Sequence, residues 1–189
     1  LRAALTRGQQ ESHGLAALER LQQIFERQAV ERVGLYLSTA EELDTGPILG
    51  WLVRSDVIVG LPAITDPDAG TMVFRQYQPG APMYRGRLGI MEPDVTAAEL
   101  AITDFDLLLM PLVAFDDHGQ RLGMGGGFYD RALGSVPAGE QPLLVGLAHS
   151  VQRSAAPLPH TRLWALLATP LSRQARGAAR FWPEAYHNI

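Results

Sequence analysis

The first part of the chain changes from a helical pattern to short apolar runs. Over residues 12–30, apolar positions recur at steps of three and four with charged residues between them. This spacing predicts an amphipathic helix with Ser12 as its N-cap. The nearly continuous apolar run over residues 32–37 predicts a buried strand, and a second helix is expected over residues 45–53.

The middle of the chain contains further strand patterns. Residues 56–62 and 106–113 are apolar enough for buried strands, whereas the alternation over residues 71–76 predicts a strand nearer an edge of the sheet. A turn-rich connection lies before the 106–113 run, and a short helix is expected there after Asp94 or Thr96.

The last part of the chain continues the same alternation. A helix is expected to begin at residues 128–133, with strands over residues 143–148 and 163–168. Strands that are apolar on both faces and alternate with helices are typical of a largely parallel sheet. The sequence therefore predicts one α/β domain over residues 1–189, a three-layer sandwich with an open, Rossmann-like central sheet flanked by helices.

The segment from Arg121 to Arg131 carries the strongest functional signal. Four of the five positions from 123 to 127 are glycine. Each glycine costs about 0.5–1 kcal/mol of backbone entropy relative to alanine. Close approach of a ligand to backbone N–H groups is the functional reason to accept that cost, and the two flanking arginines indicate a phosphate. The alternative is a flexible surface turn. The segment fits neither the dinucleotide fingerprint nor the lysine-containing P-loop.

Composition narrows the chemistry. The net charge of −4 and the absence of an arginine stripe argue against a nucleic-acid partner. All 16 basic residues are arginine, so no lysine is available for a Schiff base or a phosphate contact, and the absence of cysteine excludes a thiolate nucleophile. No apolar segment reaches the length of a membrane span and no signal peptide is visible, so a cytoplasmic protein is expected.

Residues of the glycine segment each have a functional and a structural interpretation. Arg121 is either a bidentate phosphate ligand or a solvated surface charge. Asp130 either stabilises the dipole of the following helix or holds a magnesium ion. Phe128 and Tyr129 either pack in the core or offer a face for a flat ring.

Three other polar groups are weighed in the same way. The Asp116–Gly119 sequence is interpreted as a turn rather than a metal site. The acidic residues at 41–44 follow the first strand, where one could orient a polar substrate or cap the next helix. His149, at the end of a predicted strand, is interpreted as a buried imidazole rather than a catalyst.

Residues 111–116 leading into 121–131 closely resemble the signature of the 5-formyltetrahydrofolate cyclo-ligase family, also called methenyltetrahydrofolate synthetases. The resemblance covers roughly residues 1–159. Further similar stretches are residues 1–5, 35–38, 42–45, 92–93 and 145–149.

The resemblance implies an ATP- and Mg²⁺-dependent closure of 5-formyltetrahydrofolate to 5,10-methenyltetrahydrofolate, with release of ADP and phosphate. The formyl oxygen would attack the γ-phosphate, and N10 would then close the ring. The partners would be ATP and a reduced folate, with no membrane or nucleic acid, and the chain is expected to be a monomer.

The same resemblance assigns residues to roles. Arg121 and Tyr129 would act in catalysis, and Asp130 would hold Mg²⁺. The ATP-binding residues would be Arg2, Arg121, Leu122, Gly123, Met124, Gly125, Gly126, Gly127, Phe128 and Tyr129. The folate-binding residues would be Leu37, Glu42, Met124, Gly125, Gly126, Gly127 and Phe128.

The chain departs from the family pattern at two places. The family has a lysine near its N-terminus, and this sequence contains none. The family also carries a late Trp-Asp pair that contributes to the metal site, whereas Trp164 is followed here by Ala165. Two alternatives therefore stay open: a non-catalytic relative that binds ATP or folate, and a different α/β enzyme acting on a phosphorylated small molecule.

Overall fold

The structure of the protein is a computed structural model that describes residues 4–158 and 165–169. The described part contains three α-helices: α1 (Arg7–Phe25), α2 (Gly46–Arg54) and α3 (Phe128–Gly134). Its strands are β1 (Arg32–Gly34), β2 (Ile58–Asp66), β3 (Thr71–Gln76), β4 (Met83–Arg85), β5 (Met91–Pro93), β6 (Glu99–Leu100), β7 (Leu107–Pro111), β8 (Ala114–Phe115), β9 (Arg121–Leu122), β10 (Leu143–His149) and β11 (Ala165–Thr169).

Seven strands form one mixed sheet in the order β11-β10-β7-β1-β2-β3-β6. The five strands from β11 to β2 run parallel to their neighbours, whereas β3 and β6 are antiparallel additions at one edge. Two short hairpins, β4–β5 and β8–β9, stand apart from this sheet. The predicted α/β class and largely parallel sheet are confirmed.

The central strand β7 contributes to the core on both faces of the sheet. Leu107 and Leu109 belong to a buried cluster that includes Leu21 of α1 and Ile48 of α2. The alternating residues Leu108 and Met110 belong to a second buried cluster, in which α3 takes part. Because both faces of this strand are covered, its sequence is apolar at every position from 107 to 110.

The first helix begins earlier than its apolar pattern predicts. Thr6, not Ser12, is the N-cap: its hydroxyl accepts the N–H of Gln9, and the Gln9 side-chain oxygen accepts the N–H of Thr6. This reciprocal pair is a capping box, which can begin a helix without any apolar residue. The helix ends at Phe25, so both predicted limits of this helix are wrong.

The short helix expected after Asp94 or Thr96 is also absent, and the chain forms a turn there. The Asp94 carboxylate accepts the N–H and the hydroxyl of Thr96, which closes the turn with side-chain bonds. The Gln76 N–H donates to the Ala98 carbonyl, and β6 then pairs with β3. Pairing with an open sheet edge replaced the helix, and it leaves β3 second from that edge.

None of the helices in residues 4–158 is long and apolar enough to cross a membrane.

Candidate active site

The loops that follow β1 and β7 meet at one edge of the sheet. These two strands are hydrogen-bonded neighbours and run parallel, so their carboxyl ends point the same way. The loop after β1 contains Leu37 and Glu42, and the chain after β7 leads to the glycine segment. Crevices at the carboxyl ends of parallel strands are where open α/β sheets bind ligands.

A tight turn in the β8–β9 hairpin precedes the glycine segment. The buried Asp116 carboxylate accepts the N–H groups of His118, Gln120 and Leu158 at 2.9 Å each. Burial alone would raise the pKa of Asp116, but these three donors hold it below its ordinary value. The stretch from 116 to 119 therefore forms a turn, as predicted, and the Asp116 carboxylate stabilises that turn.

Local geometry accounts for three of the four glycines in the segment. Gly125 and Gly127 have φ of 89° and 64°, in the left-handed region that favours glycine. At Gly126, a Cβ atom would lie 2.7 Å from the ring of Phe128. Met124, which lies between Gly123 and Gly125, is 81% exposed. Three positions of the segment thus have a geometry that favours glycine, and the middle of the segment is exposed.

An ion pair between a buried arginine and a half-exposed aspartate connects the start of the segment to its end. The Arg121 guanidinium donates to the Asp130 carboxylate in the first turn of α3, and the two side chains are 5% and 49% exposed. Burial lowers the pKa of Arg121, and the charge of Asp130 acts in the opposite direction. Arg121 is therefore a buried, paired cation, and the interpretation as a solvated surface charge is wrong.

Tyr129 packs against the sheet, and its pKa responds to the charge of Glu42 in the loop after β1. Its ring lies against Phe74 of β3, with 6.4 Å between ring centroids, and its hydroxyl is buried with no hydrogen-bond partner among the described residues. Burial raises the pKa of Tyr129, the charge of Glu42 raises it further, and Arg121 lowers it. Glu42, Arg121 and Tyr129 therefore share one electrostatic neighbourhood.

The loop after β1 is held by its own polar and acidic side chains. The Glu42 carboxylate accepts the N–H of Thr39 at 2.7 Å and its hydroxyl at 3.0 Å. The capping alternative applies to Asp44 instead, whose carboxylate accepts the N–H of Gly46 at the start of α2. Leu37 is half-buried and packs against the core shared with α1 and α2.

Arg131, which the sequence grouped with Arg121 as a phosphate-facing cation, is turned to the protein. Its Nε donates to the Gly70 carbonyl at 2.9 Å, and a terminal nitrogen donates to the Gly126 carbonyl. Phe128 lies beneath this guanidinium, with 5.9 Å between its ring centroid and the guanidinium carbon. The anion-binding expectation for Arg131 is therefore not borne out by its contacts.

A pair of buried histidines lies at the end of β10. The Nδ1 atoms of His149 and His13 are 2.8 Å apart, which joins α1 to the sheet. His149 is buried, as predicted, but its partner was missed because nothing in the local sequence around His13 indicates a contact 136 residues away. Burial lowers the pKa of His13.

Two residues that the sequence singled out, Arg2 and Trp164, lie outside the described residues. Within the described residues, no group of three or more histidine and acidic side chains could hold a metal ion, so Asp130 stands as a single candidate ligand.

An open, mostly parallel sheet with a shaped glycine segment at its carboxyl edge defines an α/β protein of the ligand-binding class. Comparison with known proteins then gives the family. The model of the 5-formyltetrahydrofolate cyclo-ligase family matches residues 1–161, and the chain belongs to that family.

Individual relatives agree with this assignment. The chain is 40% identical over 153 residues to a 5-formyltetrahydrofolate cyclo-ligase of Escherichia coli, a match that covers 80% of this chain and 83% of that protein. The Haemophilus influenzae protein of the same name is 34% identical over 154 residues, covering 81% and 82%. The solved structure of Aquifex aeolicus 5,10-methenyltetrahydrofolate synthetase superposes with a TM-score of 0.73 at 27% identity, covering 88% and 83%.

Proposed function

We propose that this chain is a 5-formyltetrahydrofolate cyclo-ligase, an ATP-dependent ligase of one-carbon metabolism. It converts 5-formyltetrahydrofolate to 5,10-methenyltetrahydrofolate, with ADP and phosphate as the other products. The observation that carries the residue assignment is that the parallel neighbours β1 and β7 direct the loop with Glu42 and the chain leading to the glycine segment to the same end of the sheet. Two substrates could therefore bind between them.

The ATP side of the site is the glycine segment with its two ends. Residues 121–129 surround the triphosphate, and the backbone N–H groups near Gly125 and Gly127 are its donors. Arg121 supplies a positive charge whose position is fixed by Asp130 before any ligand arrives. A fixed charge needs no reorganisation during the reaction, which is what electrostatic catalysis requires. Arg2 adds a second cation from the N-terminus.

The folate side is formed by Leu37 and Glu42 together with residues 124–128. The Glu42 carboxylate already accepts two bonds from Thr39, so its geometry is set in advance. A carboxylate in this position accepts the N–H groups of a pterin ring, for which Leu37 offers an apolar neighbour. The exposed side chain of Met124 stands between both substrates and contacts the folate.

The reaction proceeds in two steps. The formyl oxygen attacks the γ-phosphorus, and the bond from that phosphorus to the bridging oxygen breaks as ADP leaves. N10 then attacks the activated carbon, loses its proton to solvent, and expels phosphate with the former formyl oxygen. Phosphoryl transfer of this kind requires positioning and charge stabilisation rather than a protein nucleophile.

Tyr129 acts in this reaction as a hydrogen-bond donor. A tyrosine hydroxyl is protonated at neutral pH, and burial raises the pKa of Tyr129 further. Its proton has no acceptor among the described residues, and a phosphoryl oxygen would provide one. Arg121 and Tyr129 together stabilise the charge that develops during transfer.

The donor set at Asp130 fits Mg²⁺. The ion commonly binds through one or two carboxylates, substrate phosphates and water, and the half-exposed Asp130 carboxylate is a ligand of this kind. Bound there, Mg²⁺ would neutralise phosphate charge. Asp130→Asn should therefore weaken the Mg²⁺ dependence of ATP binding measured by calorimetry, independently of turnover.

The test is an absorbance assay for methenyltetrahydrofolate formed from 5-formyltetrahydrofolate, with and without ATP and Mg²⁺. ATP-dependent product is expected from the folded full chain, and its absence would overturn the enzymatic assignment.

The non-catalytic alternative is favoured by Ala165, which stands where the family has a metal-binding acid. This alternative predicts that calorimetry detects binding of ATP or folate while the absorbance assay detects no product. The chain is expected to act as a monomer, which size-exclusion chromatography with light scattering can check.

A further inference from the structure

The Arg131 side chain joins two separate pieces of backbone. It lies on α3 and donates to the carbonyl of Gly126 inside the glycine segment. Its Nε donates to the carbonyl of Gly70, in the turn between β2 and β3. Because these acceptors lie 56 positions apart in the chain, one guanidinium fastens the glycine segment to a part of the sheet that the ligand-binding loops do not otherwise include.

Two glycines make room for this guanidinium. Gly70 has a φ of 66°, and a Cβ atom there would lie 1.6 Å from a terminal nitrogen of Arg131. A Cβ atom at Gly127 would lie 2.9 Å from the other terminal nitrogen. Gly70 is buried although Asp68, Ala69 and Thr71 beside it are exposed. The turn is therefore shaped around the arginine side chain.

The glycine segment has a particular need for such an attachment. Four glycines in five positions give the segment more conformational freedom than other residues would, and ordering it upon ligand binding would reduce affinity. The Arg121–Asp130 pair holds its two ends, whereas Arg131 holds the Gly126–Gly127 peptide at its centre.

We propose that Arg131 is a positioning residue for ATP: by holding Gly126 against the β2–β3 turn, it orders the glycine segment before the nucleotide binds. This proposal rests on the proposed function. Arg131 acts through the backbone and not through its charge, because its donors meet carbonyl groups of the protein. Replacing the arginine or filling its place at Gly70 should therefore impair the same step.

The test uses five variants and steady-state kinetics with each substrate varied in turn. Arg131→Ala and Gly70→Ala are each expected to raise the KM for ATP by about tenfold and to leave kcat within about twofold. The KM for folate should rise by a smaller factor, because residues 124–128 also face the folate whereas Leu37 and Glu42 lie in the loop after β1. Arg131→Lys keeps the charge but lacks the planar fork of donors, so it should behave like the alanine variant.

Gly80→Ala is the matched control for Gly70→Ala. Gly80 also has a left-handed φ, of 80°, but no atom lies within 4 Å of its Cβ position, so the substitution brings backbone strain without blocking a side chain. It should leave the KM for ATP unchanged. The double variant Arg131→Ala/Gly70→Ala should have the same KM for ATP as either single variant, since each substitution removes the same attachment.

Three results would overturn the proposal: equal losses for ATP and folate in Arg131→Ala, restoration of ATP binding by lysine, or the same effect from Gly70→Ala and Gly80→Ala. Thermal unfolding of each variant establishes that it is folded. Calorimetric ATP dissociation constants for the same variants keep the test independent of turnover. Failure of the cyclo-ligase assay would therefore count against the proposed function alone.

Discussion

The glycine segment and the loop after β1 form the two sides of the proposed site and are stabilised by different kinds of side-chain contact. Long charged side chains hold the glycine segment: Arg121 reaches Asp130 nine positions later, and Arg131 reaches Gly70. In the loop after β1, short polar side chains bond to backbone a few positions away, as the hydroxyls of Ser38 and Thr45 do with each other's N–H groups.

The difference follows from composition. The five positions from 123 to 127 have few side chains with which to hold themselves, so their order must come from residues outside these positions. The loop from 38 to 45 contains two threonines, a serine and three acids, and these side chains bond readily to nearby backbone. We therefore expect the glycine segment to be sensitive to distant substitutions and the other loop to be sensitive mainly to local ones.

The largest effect is expected when the buried Arg121 loses its carboxylate partner. Asp130→Ala should lower the free energy of unfolding by about 2 kcal/mol, less than for a fully buried pair because Asp130 is half-exposed. Urea unfolding measures the change. The matched control is Asp117→Ala, which breaks the exposed Asp117–Arg153 pair and should cost about 0.5 kcal/mol. Equal costs for the two variants would mean that the Arg121 pair does not hold the glycine segment.

An intermediate effect is expected at Tyr129, where the two sides of the site meet. Tyr129→Phe should lower kcat by about tenfold because a donor to the phosphoryl group is lost. It should not lower the free energy of unfolding, since the buried hydroxyl has no partner among the described residues. Tyr84→Phe is the structural control: its hydroxyl donates to Glu92 at 2.9 Å, so that variant should lose stability. Unchanged kcat in Tyr129→Phe would remove the tyrosine from the mechanism.

The smallest effect is expected in the loop after β1. The buried Thr45 hydroxyl donates to the Tyr36 carbonyl at 2.9 Å and accepts the N–H of Ser38 at 3.1 Å. Thr45→Val should lower the free energy of unfolding by about 1 kcal/mol and raise the KM for folate more than the KM for ATP. Thr65→Val, at an exposed threonine pair, should change stability by less than about 0.5 kcal/mol. A larger increase in the KM for ATP than for folate would contradict the separation of the two sides.

Sequence patterns predicted the elements that neighbouring residues specify and the strands that are buried on both faces. The run at β7 and the helix that follows the glycine segment are examples, because apolar periodicity records the faces that pack. The start of α1 was missed because its first residues, from 7 to 12, include no residue that packs in the core, and the helix depends on a capping box at Thr6. The chain after Asp94 was missed because an open sheet edge competes with local helix preference.

Within the candidate site, the sequence indicated which residues take part but not how they are oriented. It singled out both Arg121 and Arg131 as cations beside glycines, and could not separate an arginine paired with Asp130 from one that binds backbone carbonyls. That distinction depends on Gly70, far away in the chain, whose missing side chain leaves room for one guanidinium.

The sequence by itself determined the class of fold, the family and the glycine segment, because hydrophobic periodicity and a dense local motif are properties of neighbouring residues. Only the tertiary structure decided which charges face each other. It paired Arg121 with Asp130, joined His13 to His149 and placed Glu42 near Tyr129. The physical reason is that burial and charge pairing depend on distances in space. Those distances are set by how parallel strands bring separate loops to one edge of the sheet.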